Sequence, residues 1–136
     1  MDTMKKNDPL ALLSLISLLL VSIHVPDDYV HGFDKGVVNN PYGILILVVW
    51  ACGLLLFRER LIGRIILLLG GLIAVAMPVM HLNGHYPPDF AMSDGAFRFV
   101  WTLYAVGTTG ALTVILALRE LFGRRASPPS GPAGAA

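Results

Sequence analysis

Charged residues are scarce in this chain. Only 14% of its 136 residues are Asp, Glu, Lys or Arg, whereas soluble domains usually contain about 25%. Hydrophobic residues make up 55% of the chain, and the mean hydropathy is +0.69. This balance excludes an ordinary soluble domain and predicts an all-α integral membrane protein.

Cysteine and catalytic motifs are also lacking. The single cysteine, Cys52, excludes an intrachain disulfide and a cysteine-based zinc site, and its apolar surroundings predict a buried, inert thiol. The chain has no nucleophile elbow, no phosphate-binding glycine loop and no His-Glu-x-x-His motif. These absences disfavour an enzyme. The basic residues are spread over several short loops, which does not indicate nucleic-acid binding.

Four apolar stretches predict four membrane-spanning helices. Each approaches the length of about 20 residues that crosses a bilayer. We expect an antiparallel up-down-up-down four-helix bundle forming one domain over residues 1–122, followed by a disordered cytoplasmic tail over 123–136 that is rich in Pro, Ser, Gly and Ala. The predicted spans are about 9–25, 41–57, 61–80 and 95–122.

Short sequence signals mark where these helices begin. Asp8 before Pro9 places a capping carboxylate ahead of a proline in the first turn. Asn40 before Pro41 repeats that pattern, and Ser93 or Asp94 is expected to cap the fourth helix.

The basic residues predict the orientation of the four spans. If the chain is threaded four times through a bilayer, only Lys35 and Arg98 lie on one side. Cytoplasmic loops are enriched in Lys and Arg, so both termini are expected in the cytoplasm, most simply at a cell (inner) membrane. Arg64 is expected to extend its guanidinium back to the headgroups. The basic residues on the predicted cytoplasmic side are Lys5, Lys6, Arg58, Arg60, Arg64, Arg119, Arg124 and Arg125.

Small and polar side chains recur at helical spacing on three of the spans. In lipid, such residues let helix backbones approach closely, so these strips are predicted to face a common interior. Trp50 is interpreted as a packing residue of the second span. The strips are Ser14, Ser17, Val21 and His24; Gly70, Ala74, Met77 and His81; and Arg98, Thr102, Ala105 and Thr109, beside the pair Gly107 and Ala111.

The first span ends in the most titratable stretch of the chain, from His24 to His31. A helix that passes straight through Pro26 would place His24, Asp28 and His31 on one face, but Pro26 removes a helical hydrogen bond, which favours a kink or break there. Alternatively, Pro26 begins a short interfacial helix whose first turn carries acidic residues. Arg98 is expected to pair with Asp94 or with Asp28 across the bundle.

These residues, with two histidines of a later loop, predict a candidate metal site. Imidazole with carboxylate suits divalent zinc, iron or manganese, whereas Met77 and Met80 beside a histidine would suit cuprous copper. A narrower alternative is a bis-histidine haem between His24 and His81, although so short a span leaves little room for a porphyrin. The candidate ligands of a divalent metal are His24, Asp27, Asp28, His31, His81 and His85.

Three functions remain open from the sequence. The first is a structural or accessory membrane protein that contacts the lipid bilayer and, through its small-residue helix faces, a membrane-protein partner or a second copy of itself. The second is a metal-binding membrane protein, conceivably an enzyme or a haem or redox subunit. The third is a pH-responsive protein, because histidine titrates at about pH 6.5.

Overall fold

A computed structural model describes residues 8–30, 42–82 and 95–123 of the chain. They form four helices and no strand. The helices are α1 (Pro9–Val30), α2 (Tyr42–Leu55), α3 (Leu61–Leu82) and α4 (Ala96–Gly123). The prediction of an all-helical chain is confirmed for these residues. The tail beyond Gly123, like the proposed caps Asn40, Ser93 and Asp94, lies outside them.

α1 begins as predicted but does not stop or restart at Pro26. The Asp8 carboxylate accepts a hydrogen bond from the amide of Ala11 at 3.1 Å, which is a helix N-cap. The helix then continues through Pro26 to Val30, so the predicted break is wrong. Pro26 lies on the exposed side of α1, whereas His24 and Asp27 are buried on the other. Contacts of these two side chains with α4 hold the last turns in helical geometry.

α2 and α3 form the predicted helical hairpin. α2 has 14 residues and is therefore about 21 Å long, shorter than the span expected over 41–57. Residues 56–60 make the turn, in which the amide of Arg60 donates to the carbonyl of Phe57 at 2.8 Å. α3 has 22 residues and passes through Pro78 without ending there.

α1 and α4 pack as antiparallel neighbours. α4 contacts both α1 and α3, while α2 lies against α1 and α3 and does not touch α4. Asp27 of α1 meets Arg98 near the start of α4, and Ser17 of α1 meets Thr113 further along it. Rising residue numbers on α1 therefore match falling numbers on α4, which defines the antiparallel direction of this pair.

Small residues allow the backbones of α3 and α4 to approach each other. A Cβ atom added to Gly110 would lie 2.6 Å from the Cβ of Ala74 and 2.9 Å from the carbonyl oxygen of Gly71. A Cβ added to Gly107 would lie 2.6 Å from Pro78. The predicted strip of α3 thus packs within the chain. The predicted strip of α4 is wrong as the interior face, because none of its residues is buried. The buried face of α4 is instead Phe99, Leu103, Val106, Gly110, Thr113 and Ala117.

The interior also contains polar side chains that join one helix to another. Ser14, Ser17 and His24 of α1 are completely buried, as the predicted strip required. Trp50 of α2 is 1% exposed and donates its indole N–H to Ser14 Oγ at 2.8 Å. Its interpretation as a packing residue is confirmed, with an added interhelical hydrogen bond. Cys52 is a free, half-buried thiol.

Arg64 differs from its predicted role. Instead of reaching outward, it is 7% exposed and lies 3.3 Å from the Glu120 carboxylate of α4. It also donates to the backbone carbonyl of Glu59 at 3.0 Å. The guanidinium is thus paired with an acidic group of a neighbouring helix and bonded to a carbonyl of the preceding turn, both within the protein.

The outer helix faces are apolar. Large hydrophobic side chains are exposed along all four helices, a surface far larger than the patches soluble proteins usually show. Three helices are long and apolar enough to cross a membrane: Pro9–Asp27, Leu61–His81 and Ala96–Gly123. These features support the prediction of a membrane protein.

Candidate functional site

The candidate site lies where the end of α1, the end of α3 and the start of α4 meet. We call this region the histidine end and define it by His24, Asp27, His81, Arg98 and Phe99. Met77 and Thr102 lie one turn deeper on the same helices.

His24 is completely buried and its hydrogen bonds fix the position of its proton. Its Nδ1 lies 3.3 Å from Thr102 Oγ1, and that hydroxyl donates its only hydrogen to the carbonyl of Phe99 at 2.9 Å. Thr102 can then only accept from the imidazole, so Nδ1 of His24 carries the hydrogen. In the neutral ring, Nε2 therefore keeps its lone pair.

His81 has the same tautomer for an independent reason. Its Nδ1 lies 2.9 Å from the backbone carbonyl of Met77, one turn earlier on α3. A carbonyl can only accept, so Nδ1 donates and Nε2 again carries the lone pair of the neutral ring. Histidines that bind metals are commonly oriented in this way, with one ring N–H donated to a carbonyl or other acceptor.

The two imidazoles contact each other edge to face. Their centroids are 5.2 Å apart and the ring planes make an angle of 74°. Phe99 packs against both, with its ring centroid 4.7 Å from His24 and 5.4 Å from His81. The sequence left open whether His24 turns inward to meet His81, and the structure shows that it does.

Asp27 and Arg98 form an ion pair beside the imidazoles. Arg98 Nη2 lies 2.7 Å from Asp27 Oδ1. The Asp27 side chain is 10% exposed and that of Arg98 is 64% exposed, so one side of the pair is open. The sequence analysis named Asp94 or Asp28 as the partner of Arg98. Asp94 and the side chain of Asp28 lie outside the described structure. Among the described side chains Arg98 pairs with Asp27, which the continuous helix through Pro26 turns towards α4.

The side chains of the remaining predicted ligands lie outside the part of the chain that the structure describes. Asp28 belongs to α1, but its side chain lies outside the described structure, and so do His31 and His85. Among the side chains that are described, no group of three or more His, Cys, Asp and Glu could hold a metal ion. Met80, considered as a copper ligand, is 70% exposed, whereas Met77 is half-buried beside Phe99.

Phe99 is the member of the histidine end that sequence reasoning missed. It is completely buried and contacts both imidazoles. Its spacing to Leu103 and Val106, which are also buried, follows the helical period of an interior face. The sequence could therefore predict that Phe99 faces the interior, but it could not predict which helices Phe99 contacts.

A haem does not fit between the two histidines. With an iron–nitrogen distance of about 2.0 Å and each nitrogen about 1.1 Å from its ring centre, two imidazoles on opposite sides of an iron have centroids about 6.2 Å apart. The observed separation is 5.2 Å, and Phe99 fills the adjacent space. The arrangement therefore does not accommodate a porphyrin between these rings.

An apolar groove runs along the outside of α3 and α4, away from the histidines. It has a volume of about 420 Å³ and is open along much of its length. Gly107 and Ala111 supply its floor on α4, so this part of the small-residue face remains accessible from outside. The lining residues are Val75, Pro78, Tyr104, Gly107, Thr108, Ala111 and Leu112.

The fold and the site together define the class of this protein: an all-helical chain with three membrane-length helices and a partly buried polar end. No model of a known protein family matches the chain, and neither a curated protein nor a solved structure matches it. The function must therefore be inferred from the residues themselves.

Proposed function

We propose that the protein is a multi-pass membrane protein of structural or accessory type. Its four helices would form an antiparallel up-down-up-down bundle in the cell (inner) membrane, with both termini in the cytoplasm. The antiparallel contacts and the distribution of basic residues support this topology. α2 is short for a span, and the apolar Leu56 and Phe57 that follow it would extend its reach.

One observation carries the accessory role: the interior polar groups join the helices to each other. Ser14 accepts from Trp50 of α2, His24 donates to Thr102 of α4, and Arg64 of α3 pairs with Glu120 of α4. Interhelical hydrogen bonds in membranes contribute about 0.6 kcal/mol each on average. The interior thus builds a rigid unit, and the apolar outer faces are left for lipid and for a partner.

Reporter fusions test the topology. A fluorescent protein fused after Ala136 should be bright, because it folds in the cytoplasm, whereas alkaline phosphatase fused there should be inactive. Phosphatase inserted after Lys35 should be active. Phosphatase activity after Ala136 would overturn the arrangement.

Cross-linking in intact membranes tests the accessory role. In a Cys52→Ser background, Thr108→Cys places a thiol in the groove on α4, and a bifunctional maleimide should capture a second copy or one recurrent membrane protein. Leu19→Cys, on an exposed position of α1, is the matched control and should give monomer. Monomer from both variants would contradict a partner at the groove.

A second candidate function is metal binding at the histidine end. The observation that favours it is the contact between imidazoles of two different helices, both with Nε2 as the lone-pair nitrogen. A divalent ion would be bound by His24, His81 and Asp27, completed by Asp28, His31 or His85. Metal analysis of the purified protein, repeated for His24→Ala and His81→Ala, tests it. Substoichiometric metal in the unmodified protein would overturn it.

A further inference from the structure

A pocket lies between the start of α1 and the end of α4, at the end of the helix assembly opposite the histidines. It is partly enclosed and has a volume of about 270 Å³. Its lining combines apolar side chains and backbone with one positive and one negative side chain, so it suits a molecule that has both an apolar and a charged part. The lining residues are Pro9, Leu116, Arg119, Glu120 and Gly123.

The carboxylates near this pocket already have cationic partners. Glu120, which lines the pocket, lies 3.3 Å from the Arg64 guanidinium. Asp8, which directly precedes Pro9, lies 3.8 Å from the Arg58 guanidinium. Both negative charges are therefore compensated by arginines of the protein itself.

Arg119 differs from the other described arginines. Arg58, Arg64 and Arg98 each lie 2.7 to 3.8 Å from a carboxylate. Arg60 lies over an aromatic ring. Arg119 is exposed and has no ion pair, hydrogen bond or ring contact within the part of the chain that the structure describes. The pocket thus contains one positive charge that the described protein leaves uncompensated.

An apolar face continues from Arg119 towards the middle of α4. Ile115 and Leu112 precede Arg119 by four and seven residues, so the three side chains share one side of the helix. Ile115 is 59% exposed and Leu112 is 44% exposed. A lipid whose headgroup lies at Arg119 would therefore find exposed apolar side chains beneath it for an acyl chain.

We propose that this pocket binds a phospholipid with an anionic headgroup. The Arg119 guanidinium would donate hydrogen bonds to the phosphodiester oxygens, which arginine can contact with two parallel N–H groups. The negative charge of such a headgroup balances the uncompensated arginine, whereas a zwitterionic headgroup brings a cation of its own. The proposal rests on the proposed membrane topology, in which α4 ends at the cytoplasmic surface, where basic pockets between helices bind anionic lipids.

Native mass spectrometry of the full chain tests the proposal. The protein, purified in detergent and stripped of lipid, is titrated with phosphatidylglycerol or with phosphatidylcholine of the same chain length. One phosphatidylglycerol should bind per chain, more tightly than phosphatidylcholine, and Arg119→Gln should weaken its binding by about fivefold. Equal binding of the two lipids by the unmodified protein would overturn the proposal.

Arg60→Gln is the matched control for net charge. It also removes one cation from the predicted cytoplasmic side, but Arg60 lies over the Phe57 ring and does not line the pocket. This variant should bind phosphatidylglycerol as tightly as the unmodified protein. An equal loss of affinity in Arg60→Gln and Arg119→Gln would assign the binding to overall charge and overturn the pocket.

Gly123→Leu tests the apolar part of the pocket without changing any charge. A Cβ added to Gly123 meets no atom within 4 Å, so the leucine would occupy the pocket and leave the helix packing unchanged. Binding of phosphatidylglycerol should weaken by at least about fivefold, while the helical content measured by circular dichroism stays the same. Unchanged affinity in this variant would contradict binding in the pocket.

Two further outcomes concern the source of the phosphate and the topology. Glycerol phosphate in millimolar excess supplies the anion without an acyl chain and should not displace the lipid. Displacement would overturn a lipid ligand in favour of a free organic phosphate. If the reporter fusions agree with the topology but no phosphatidylglycerol is retained, the lipid proposal fails while the proposed function stands.

Discussion

The two ends of the helix assembly each join an arginine to a carboxylate through α4, but they bury opposite members of the pair. At the histidine end, the Asp27 side chain is 10% exposed and that of Arg98 is 64% exposed. At the other end, which we call the Arg64 end and define by Asp8, Arg58, Arg64 and Glu120, the Arg64 side chain is 9% exposed and that of Glu120 is 34% exposed. The two ends therefore depend on different buried charges.

Both pairs place their charges at helix ends that disfavour them. Asp27 lies in the last turn of α1 and Arg98 in the first turn of α4, where the helix dipole opposes each charge. Arg64, in the first turn of α3, and Glu120, in the last turn of α4, repeat this arrangement. Antiparallel neighbours bring each opposed charge beside its counter-ion, so the packing of helices compensates for what a single helix disfavours.

The largest effect is expected where the two ends are coupled, in the middle of α3 and α4. Gly110→Leu would force a side chain into Ala74 and the backbone of Gly71 and should lower the free energy of unfolding, measured by SDS titration, by about 3 kcal/mol. Hydrogen exchange should rise at both ends.

Gly43→Leu is the matched control, because a Cβ there meets no atom within 4 Å. It should leave exchange at both ends unchanged. If hydrogen exchange in the Gly110→Leu variant became faster at only one end of the helix assembly, the two ends would be independent.

The next effect is expected at the histidine end. Arg98→Ala removes the cation that faces the mostly buried Asp27 carboxylate. The free energy of unfolding should fall by about 2 kcal/mol, which is less than for a fully buried pair because Arg98 is exposed. Adding Asp27→Asn to this variant should recover part of the loss, since the buried charge is then gone. No recovery in the same SDS titration would mean that the ion pair does not set the stability of this end.

A smaller effect is expected at the Arg64 end. Glu120→Ala removes the carboxylate 3.3 Å from Arg64, but the guanidinium keeps its hydrogen bond to the Glu59 carbonyl. The expected loss is about 1 kcal/mol, roughly half that of Arg98→Ala. Glu59→Ala is the control, because the bond uses its backbone oxygen, and it should be neutral. A larger loss for Glu120→Ala than for Arg98→Ala would reverse the comparison.

The smallest effects distinguish a cap from an ion pair at the same end. Asp8 accepts from the amide of Ala11 at 3.1 Å and lies 3.8 Å from the Arg58 guanidinium. Asp8→Ala should lower the free energy of unfolding in the SDS titration by about 1 kcal/mol, because the cap is lost. Asp8→Asn keeps a capping oxygen and should cost under about 0.5 kcal/mol. Equal losses would assign the effect to the charge.

Much of the fold could be predicted from the sequence because local patterns determine it. The cap at Asp8, the hairpin between α2 and α3, and the buried strip of Ser14, Ser17 and His24 follow from spacing and composition alone. Pro26 was misjudged because its effect depends on the surroundings: an exposed proline is tolerated when buried neighbours on the same turns are bound by another helix.

The candidate site was predicted only in part for the same reason. The titratable residues themselves were identified, and the strips correctly turned His24 and His81 inwards. Spacing did not show that Phe99 would pack against both rings, or that Arg98 would pair with Asp27. Those contacts depend on the relative height and rotation of three helices, which no single-helix pattern specifies.

The sequence by itself determined that the chain is helical and apolar enough for a membrane, and which faces of α1 and α3 turn inward, because hydropathy, periodicity and capping act within one segment. Only the tertiary structure decided how the charges are paired and which donors surround the imidazoles. Each ion pair opposes the dipole of the helices that carry it, so it is stable only where antiparallel neighbours meet. The 5.2 Å contact between the rings of His24 and His81 is likewise set by the packing of α1, α3 and α4.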